Sequence, residues 1–359
     1  MTPRRGTADD RADVQADVRV VGTTGTTGTP GTAAVVGPRP WQDAWTDALY
    51  GDQGFYRRPE GPAGHFRTAA HAAPRELAAA VARLAADAGC TAVVDVGAGR
   101  GELLRALHEL GQRSGDASGV TELHGVEVAA RPPELPPGVR WSHRVPRVPD
   151  ALVVAWELLD VVPCPVLEVD DDGVPRGVLV EPATGREHLG PPVAEADLAW
   201  CASWWPLGGL EPGDRVEVGR PRDTTWASLV AGAAIAGGGL LLAVDYAHTA
   251  AQRPPLGSLS GFRAGRAVPP RPDGSGDVTA HVALDAVAAA GEAAGATTTL
   301  LTRQDAALRA LGVTHRELLD PGSLGGFGWL VQGVERALPA SLSSLMPVHA
   351  QGWTAGSAS

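Results

Sequence analysis

The residues best suited to chemistry lie in one stretch, Val93–Leu107, which reads VVDVGAGRGELLRAL. The β-branched residues Val93, Val94 and Val96 surround a single carboxylate, Asp95, a pattern that predicts a short buried strand. Gly97, Ala98, Gly99 and Gly101 follow, a composition suited to a tight turn with no bulky side chains in the way. Leu103, Leu104, Leu107 and Leu110 then share a helical face, with Gly111 as the expected stop. Strand, glycine turn and helix N-terminus together leave a place where a ligand can lie against bare backbone.

Which ligand depends on the acids nearby. A dinucleotide fingerprint needs G-x-G-x-x-G, whereas this loop is G-x-G-x-G with an acid just before it. A carboxylate at Asp95 is unfavourable beside a pyrophosphate. It suits an α-amino group, or it fixes the loop as an acceptor. The segment HGVEV (His124–Val128) reads as a second strand ending on Glu127, and an acid at that tip can accept both hydroxyls of a ribose. A ligand with a ribose and a cationic amino-acid tail but no phosphate is S-adenosylmethionine (SAM). Asp95, Gly97, Ala98, Gly99, Gly101 and Glu127 are therefore the expected cofactor-binding residues. Taken alone, the glycine spacing also fits an ordinary strand–helix turn.

The surrounding elements must bring these groups together. Folding is expected to begin near Trp41, with Trp41, Trp45, Ala48 and Leu49 on one helical face. Pro74 opens a helix carrying Leu77, Val81, Leu84 and Ala88, closed by Gly89. Val139–Val145 and Ala151–Glu157 read as further strands, the second strongly buried. GLLLAVDY reads as a strand ending on Asp245-Tyr246, and FGWLVQGV and the region of Thr297–Leu301 as two more. Helices are expected at Asp223–Ala236, at Ala283–Ala294 and near Thr314–Leu319. Strands alternating with helices imply a parallel sheet with ligands at its carboxyl edge, where Asp95, Glu127 and Glu157 all fall.

From Pro163 to about Val218 the pattern changes to a hairpin, VLEVDDDGVPRGVLVEP, and a tryptophan-rich helix. The expected organisation is a disordered tail (1–40), a first core part (41–162), an insertion or lid (163–218), a second core part (219–338) and a poorly ordered tail (339–359). The 359 residues carry a formal charge of −11 with no basic tract, which argues against a nucleic-acid partner. All 30 basic residues are Arg, a composition effect that gives no single arginine significance. Cys90, Cys164 and Cys201 lie far apart, with neither a disulfide framework nor a zinc spacing, and no metal site is expected. No apolar run is long enough to span a membrane, and no signal peptide is indicated, so a cytoplasmic protein is expected. A homo-oligomer is left open.

The chain resembles the MidA-like SAM-dependent methyltransferases, whose mitochondrial relatives are complex I assembly factors that methylate an arginine. The similarity runs from about Trp45 to Gln332. ALYGDQGFY, GHFRTA, DVGAGRGELL, GVEV, WELLDVVP, VDYA, GSLSGFR, GDVTAHVALDAV and LLTRQDAALRALGV match the family's motifs in order and spacing. The resemblance implies a class I α/β fold, a Rossmann-like seven-stranded and mostly parallel sheet with a hairpin and helical insertion. It also implies a methyl acceptor that is a protein arginine. A non-catalytic SAM-binding assembly factor and a methyltransferase for small molecules are the alternatives.

For a cationic, planar acceptor, carboxylates are the expected partners. Glu157 and Asp160 are the candidate catalytic residues, three apart and on one side if the segment turns helical. Trp156, Asp245, Tyr246 and His281 are the candidate acceptor-pocket residues, and His248 is a possible neighbour. Departures from the family pattern fall on this side. His65 replaces an Asp, His71 a Glu, Trp156 an Asn and Ala247 a Gly.

Overall fold

Residues 37–58, 69–114 and 119–345 are described by the computed structural model. The expected N-terminal tail lies outside them as far as residue 36, as do His65 and residues 346–359. Helix α1 (Trp41–Tyr50) is followed by α2 (Pro74–Asp87), strand β1 (Ala92–Val96) and α3 (Glu102–Ser114). Strands β2 (Glu122–Val126), β3 (Val139–Ser142) and β4 (Ala151–Trp156) come next. After α4 (Glu195–Trp204) and α5 (Arg220–Ile235) the sheet resumes with β5 (Gly239–Asp245). Helix α6 (Leu284–Ala293), β6 (Thr298–Arg303) and β7 (Gly328–Val334) complete it.

The seven strands run in the order β6-β7-β5-β4-β1-β2-β3. The pairs β3–β2, β2–β1, β1–β4 and β4–β5 are parallel, and β7 runs antiparallel to both β5 and β6. This is the expected mostly parallel, doubly wound sheet. Side-chain alternation divides its core. Val93, Leu152, Val154, Leu240, Leu242 and Val244 face a cluster with Leu77, Val81, Leu84, Leu103, Leu104 and Leu107 of α2 and α3. Val94, Val96, Val153, Ala155, Leu241 and Ala243 face Trp226, Leu229 and Val230 of α5 and Leu284 and Val287 of α6. Register aligns Val96 with Ala155 and Val126, and Val244 with Trp156. The carboxyl ends of β1, β2, β4 and β5 thus share one edge, and the strand order reverses between β1 and β4. Open α/β sheets bind ligands at that crevice.

Several expectations need correcting. Helix α3 continues through Gly111 to Ser114, because Leu103, Leu104 and Leu107 bury its face and outweigh the modest cost of an internal glycine. Arg39–Pro40, within the stretch expected to be a tail, form a short strand pairing with Val180 and Leu179. At the other end Ala340–Leu342 forms a turn with Leu342 buried in the core. Residues 260–279 hold a small sheet that periodicity did not predict, Ser260–Arg263 between Arg266–Val268 and Asp277–Thr279.

The 163–218 stretch supplies Val166–Val169, Pro175–Val180, Glu187–Pro192 and Arg215–Glu217 to a separate sheet, with α4 beside it. Trp200 and Trp205 are buried there against Cys201, Val216 and Val218. Cys90, Cys164 and Cys201 are free and buried. Among the described residues no helix is long and apolar enough to cross a membrane.

Candidate active site

The loop after β1 is shaped by its glycines. Gly97, Gly99 and Gly101 have φ of 79°, 56° and 76°, a left-handed backbone that side chains resist. A Cβ at Gly97 would also meet Leu158 Cδ1 at 2.8 Å, and one at Gly101 would meet Leu135 Cδ2 at 2.6 Å. The N–H groups of Gly97 and Ala98 donate to the Val126 carbonyl at 2.9 and 3.2 Å, tying the loop to the end of β2. Directly after β2, Glu127 turns back onto it. Its Oε2 accepts the Gly99 N–H at 3.0 Å and its Oε1 the Val128 N–H at 2.6 Å. Burial raises the Glu127 carboxyl above its ordinary range, opposed by the backbone N–H groups of Val128, Gly99 and Ala129.

Above this edge opens a cleft. Asp95, Gly97, Ala98, Gly99, Glu127, Trp156 and Glu157 line it, seven of the residues picked out in sequence. Gly101 lies one step deeper, its N–H donating to the Ala98 carbonyl at 2.7 Å. Asp95 is buried and has no side-chain hydrogen bond among the described residues. Burial first, then the charges of Glu102 and Glu127, pushes its carboxyl up to about 7.

The far wall brings in residues that sequence reasoning left without a role. Tyr50 and Tyr56 stack with centroids 5.6 Å apart and planes at 14°, and both line the cleft. Their hydroxyls donate to the Val161 carbonyl and to Asp277 Oδ2, each at 3.0 Å. ALYGDQGFY had carried these rings only as part of a motif. His71, also at the wall, pairs with Glu102 at 3.3 Å; the Glu of the family pattern would face a like charge there.

Glu157 follows β4 in a left-handed backbone, φ 52°, rare for a residue with a side chain. Its carboxylate accepts the Ala69 N–H at 3.4 Å and is pushed up to about 8 by burial and by the nearby Asp160. Trp156 lies beside it at the wall, edge-on to Trp329 with centroids 5.7 Å apart. Its indole N–H has no partner among the described residues.

The remaining candidates do not line the cleft. The turn after Glu157 is not helical, so Asp160 does not share a face with it. Asp160 is buried beneath, one carboxylate oxygen without a partner among the described residues. Asp245, fully buried, accepts the Leu159 and Asp160 N–H groups at 3.0 and 3.3 Å, so it supports the turn from inside. Burial and Asp160 hold its carboxyl well above the usual range. Tyr246 and His281 stack on each other at 5.6 Å, with Phe327 4.3 Å from Tyr246. Burial pushes His281 down to about 4. His248 belongs to a different cluster, accepting from Arg253 Nη1 at 2.7 Å and lying edge-on to Trp205.

Two solved structures share this fold. One is a Burkholderia thailandensis protein described as a "likely methyl transferase" and bound to S-adenosyl-homocysteine. It is 21% identical, with a TM-score of 0.72 over 88% of this chain and 92% of that one. The other, an uncharacterized protein of the same superfamily and organism, is 22% identical, with a TM-score of 0.71 over the same shares. A search of curated proteins gave no significant match. Residues 75–302 match the family described as "Putative S-adenosyl-L-methionine-dependent methyltransferase". The chain belongs to this family of SAM-dependent methyltransferases, in keeping with its MidA-like motifs.

Proposed function

We propose that this methyltransferase transfers the methyl group of SAM to a guanidinium-bearing side chain of a protein. Gly97–Gly101 would hold the cofactor, and Glu157 would face the acceptor. The residues present fit such a cofactor. The Glu127 oxygens accept the Gly99 and Val128 N–H groups and line the cleft, where the same carboxylate suits ribose hydroxyls as an acceptor. Asp95, buried without a partner among the described residues, suits an α-ammonium group. Ala98, Gly99 and Gly101 keep the cradle between them narrow and free of bulk. When bound, SAM supplies a sulfonium methyl already activated toward a nucleophile.

The observation that carries the acceptor reading is Glu157, a carboxyl on the cleft wall with its titration raised to about 8. A guanidinium that gains a methyl group on nitrogen must release one N–H proton. A carboxylate with raised proton affinity, placed at the wall, is suited to receive it and pass it to water. Before transfer the same carboxylate can hold the planar cation through its N–H groups, while the stacked Tyr50 and Tyr56 offer aromatic faces. Trp156 favours a second reading, a free small-molecule acceptor, because an indole narrows the wall beside Glu157.

Labelled SAM offered with an arginine-containing peptide, and separately with ethylguanidine, tests both readings. Label on the peptide that disappears with Glu157→Gln supports the first. Label on ethylguanidine alone supports the second. Transfer undiminished by Glu157→Gln, or none to either guanidine, refutes the role given to this carboxylate.

A further inference from the structure

The turn that carries Glu157 is gripped on both polar sides by two buried side chains from distant parts of the chain. Asp245, at the end of β5, takes its N–H side, accepting from Leu159 at 3.0 Å and Asp160 at 3.3 Å. Arg222, in the first turn of α5, takes its C=O side. Nη2 donates to the Asp160 carbonyl at 3.0 Å and Nε to the Val162 carbonyl at 3.2 Å. Its Nη1 reaches a third carbonyl, that of His281, at 2.7 Å, and its guanidinium lies 5.8 Å from the centre of the Trp45 ring. Arg222 is 1% exposed and Asp245 is not exposed at all. Among the described residues Arg222 has no carboxylate salt bridge, and burying a guanidinium on backbone carbonyls is costly unless its planar fork is well used.

The strained residue sits at the start of this turn. Glu157 holds φ at 52°, with its N–H donating to the Val244 carbonyl at 2.8 Å. Such a backbone persists only where its surroundings over-determine it. We infer that Arg222 and Asp245 are the positioning residues of Glu157: they clamp residues 159–162 from opposite sides and so hold the Glu157 carboxylate at the cleft wall. This inference rests on the reading of Glu157 as the acceptor-facing carboxylate. Through His281 and Trp45, Arg222 also ties the turn to the 281 loop and to α1, which brings Tyr50.

The test uses the full chain labelled with glutamate enriched in ¹³C at the carboxyl carbon, titrated by NMR, with Glu157→Gln assigning the resonance. Asp160 acts on Glu157 through its charge and Asp245 interacts with it through charge as well, so both variants keep the charge of the residue they replace. A shift in the titration of Glu157 therefore reports movement of the turn. Arg222→Lys keeps a charge but loses the fork, and Asp245→Glu keeps the charge but carries its acceptors one methylene out of place. Either variant is expected to move the Glu157 midpoint down from about 8 by about one pH unit or more, toward an ordinary glutamate. Affinity for S-adenosyl-homocysteine should stay within about threefold, since Glu127 and the glycine loop are untouched. If Arg222→Lys fails to fold, Asp245→Glu carries the test. An unmoved Glu157 midpoint in the folded variants overturns the clamp. This readout needs no methyl acceptor, so it is independent of the Glu157→Gln transfer assay that tests the functional reading.

Discussion

Asp95→Asn offers the sharpest separation of stability from ligand binding. The Asp95 carboxyl is buried at the end of β1 and titrates near 7 instead of 3.8, chiefly through burial and then through Glu102 and Glu127. Between those values the folded chain holds a proton that the unfolded chain has released, so stability falls as pH rises through this window. A gap of about three pH units at about 1.4 kcal/mol each gives a cost of up to ~4 kcal/mol, fully present above pH 7. Asp95→Asn removes the charge while keeping the shape. Its melting temperature should exceed that of the wild type at pH 8.5 and match it near pH 4. Binding should move the other way. An ionised Asp95 facing an α-ammonium makes S-adenosyl-homocysteine bind more tightly as pH rises toward 8. The variant should lose most of that slope and about 1.5–3 kcal/mol of affinity at pH 8.5. Thermal unfolding and calorimetry at pH 5.5, 7 and 8.5 read both effects. A variant that is less stable than wild type at pH 8.5, or that keeps the wild-type pH slope of binding, would refute the reasoning.

Glu127→Ala should weaken S-adenosyl-homocysteine binding by about 1.5–3 kcal/mol in calorimetry, because two ribose hydroxyls lose a charged acceptor. Gly99→Ala should cost only about 1–2 kcal/mol in denaturant unfolding, the price of a left-handed backbone, since its nearest atom would be Glu102 Oε2 at 3.6 Å. Gly101→Ala carries the same backbone cost and also drives a Cβ to 2.6 Å from Leu135, so it should be the more destabilising of the two by about 1 kcal/mol or more. Trp156→Asn should raise transfer to an arginine-containing peptide by widening the wall, while costing about 3 kcal/mol as the contact with Trp329 is lost. A destabilised variant with no gain in transfer would remove Trp156 from the acceptor pocket.

Much of the geometry at the edge proposed for the cofactor was legible because its signals are local. Val93–Val96, the three glycines and Glu127 lie within 35 residues, and each obeys a rule of strand, turn or strand end. The side proposed for the acceptor was less legible because its geometry is set from far away. Nothing near Glu157 in sequence announces its left-handed backbone. The groups that hold the following turn, Asp245 and Arg222, lie 86 and 62 residues from their partners there. With the turn fixed in this way Asp160 drops beneath the cleft, which spacing alone had placed beside Glu157. Arg222 was invisible for a further reason, since in a chain whose basic residues are all Arg no single one stands out. The strands between Ser260 and Thr279 are three or four residues long, too short for alternation to register. Tyr50 and Tyr56 gain their role only when α1 packs over the edge, where the Tyr50 hydroxyl meets the Val161 carbonyl.

The most direct measurement is a crystal structure of the chain with S-adenosyl-homocysteine. The expected result is ligand density in the cleft between Gly97–Gly101 and Glu157. Both ribose hydroxyls should lie within hydrogen-bonding distance of the Glu127 carboxylate, the α-ammonium beside Asp95 and the sulfur facing Glu157. Density elsewhere, or in the cleft with the ribose turned away from Glu127, would contradict the site.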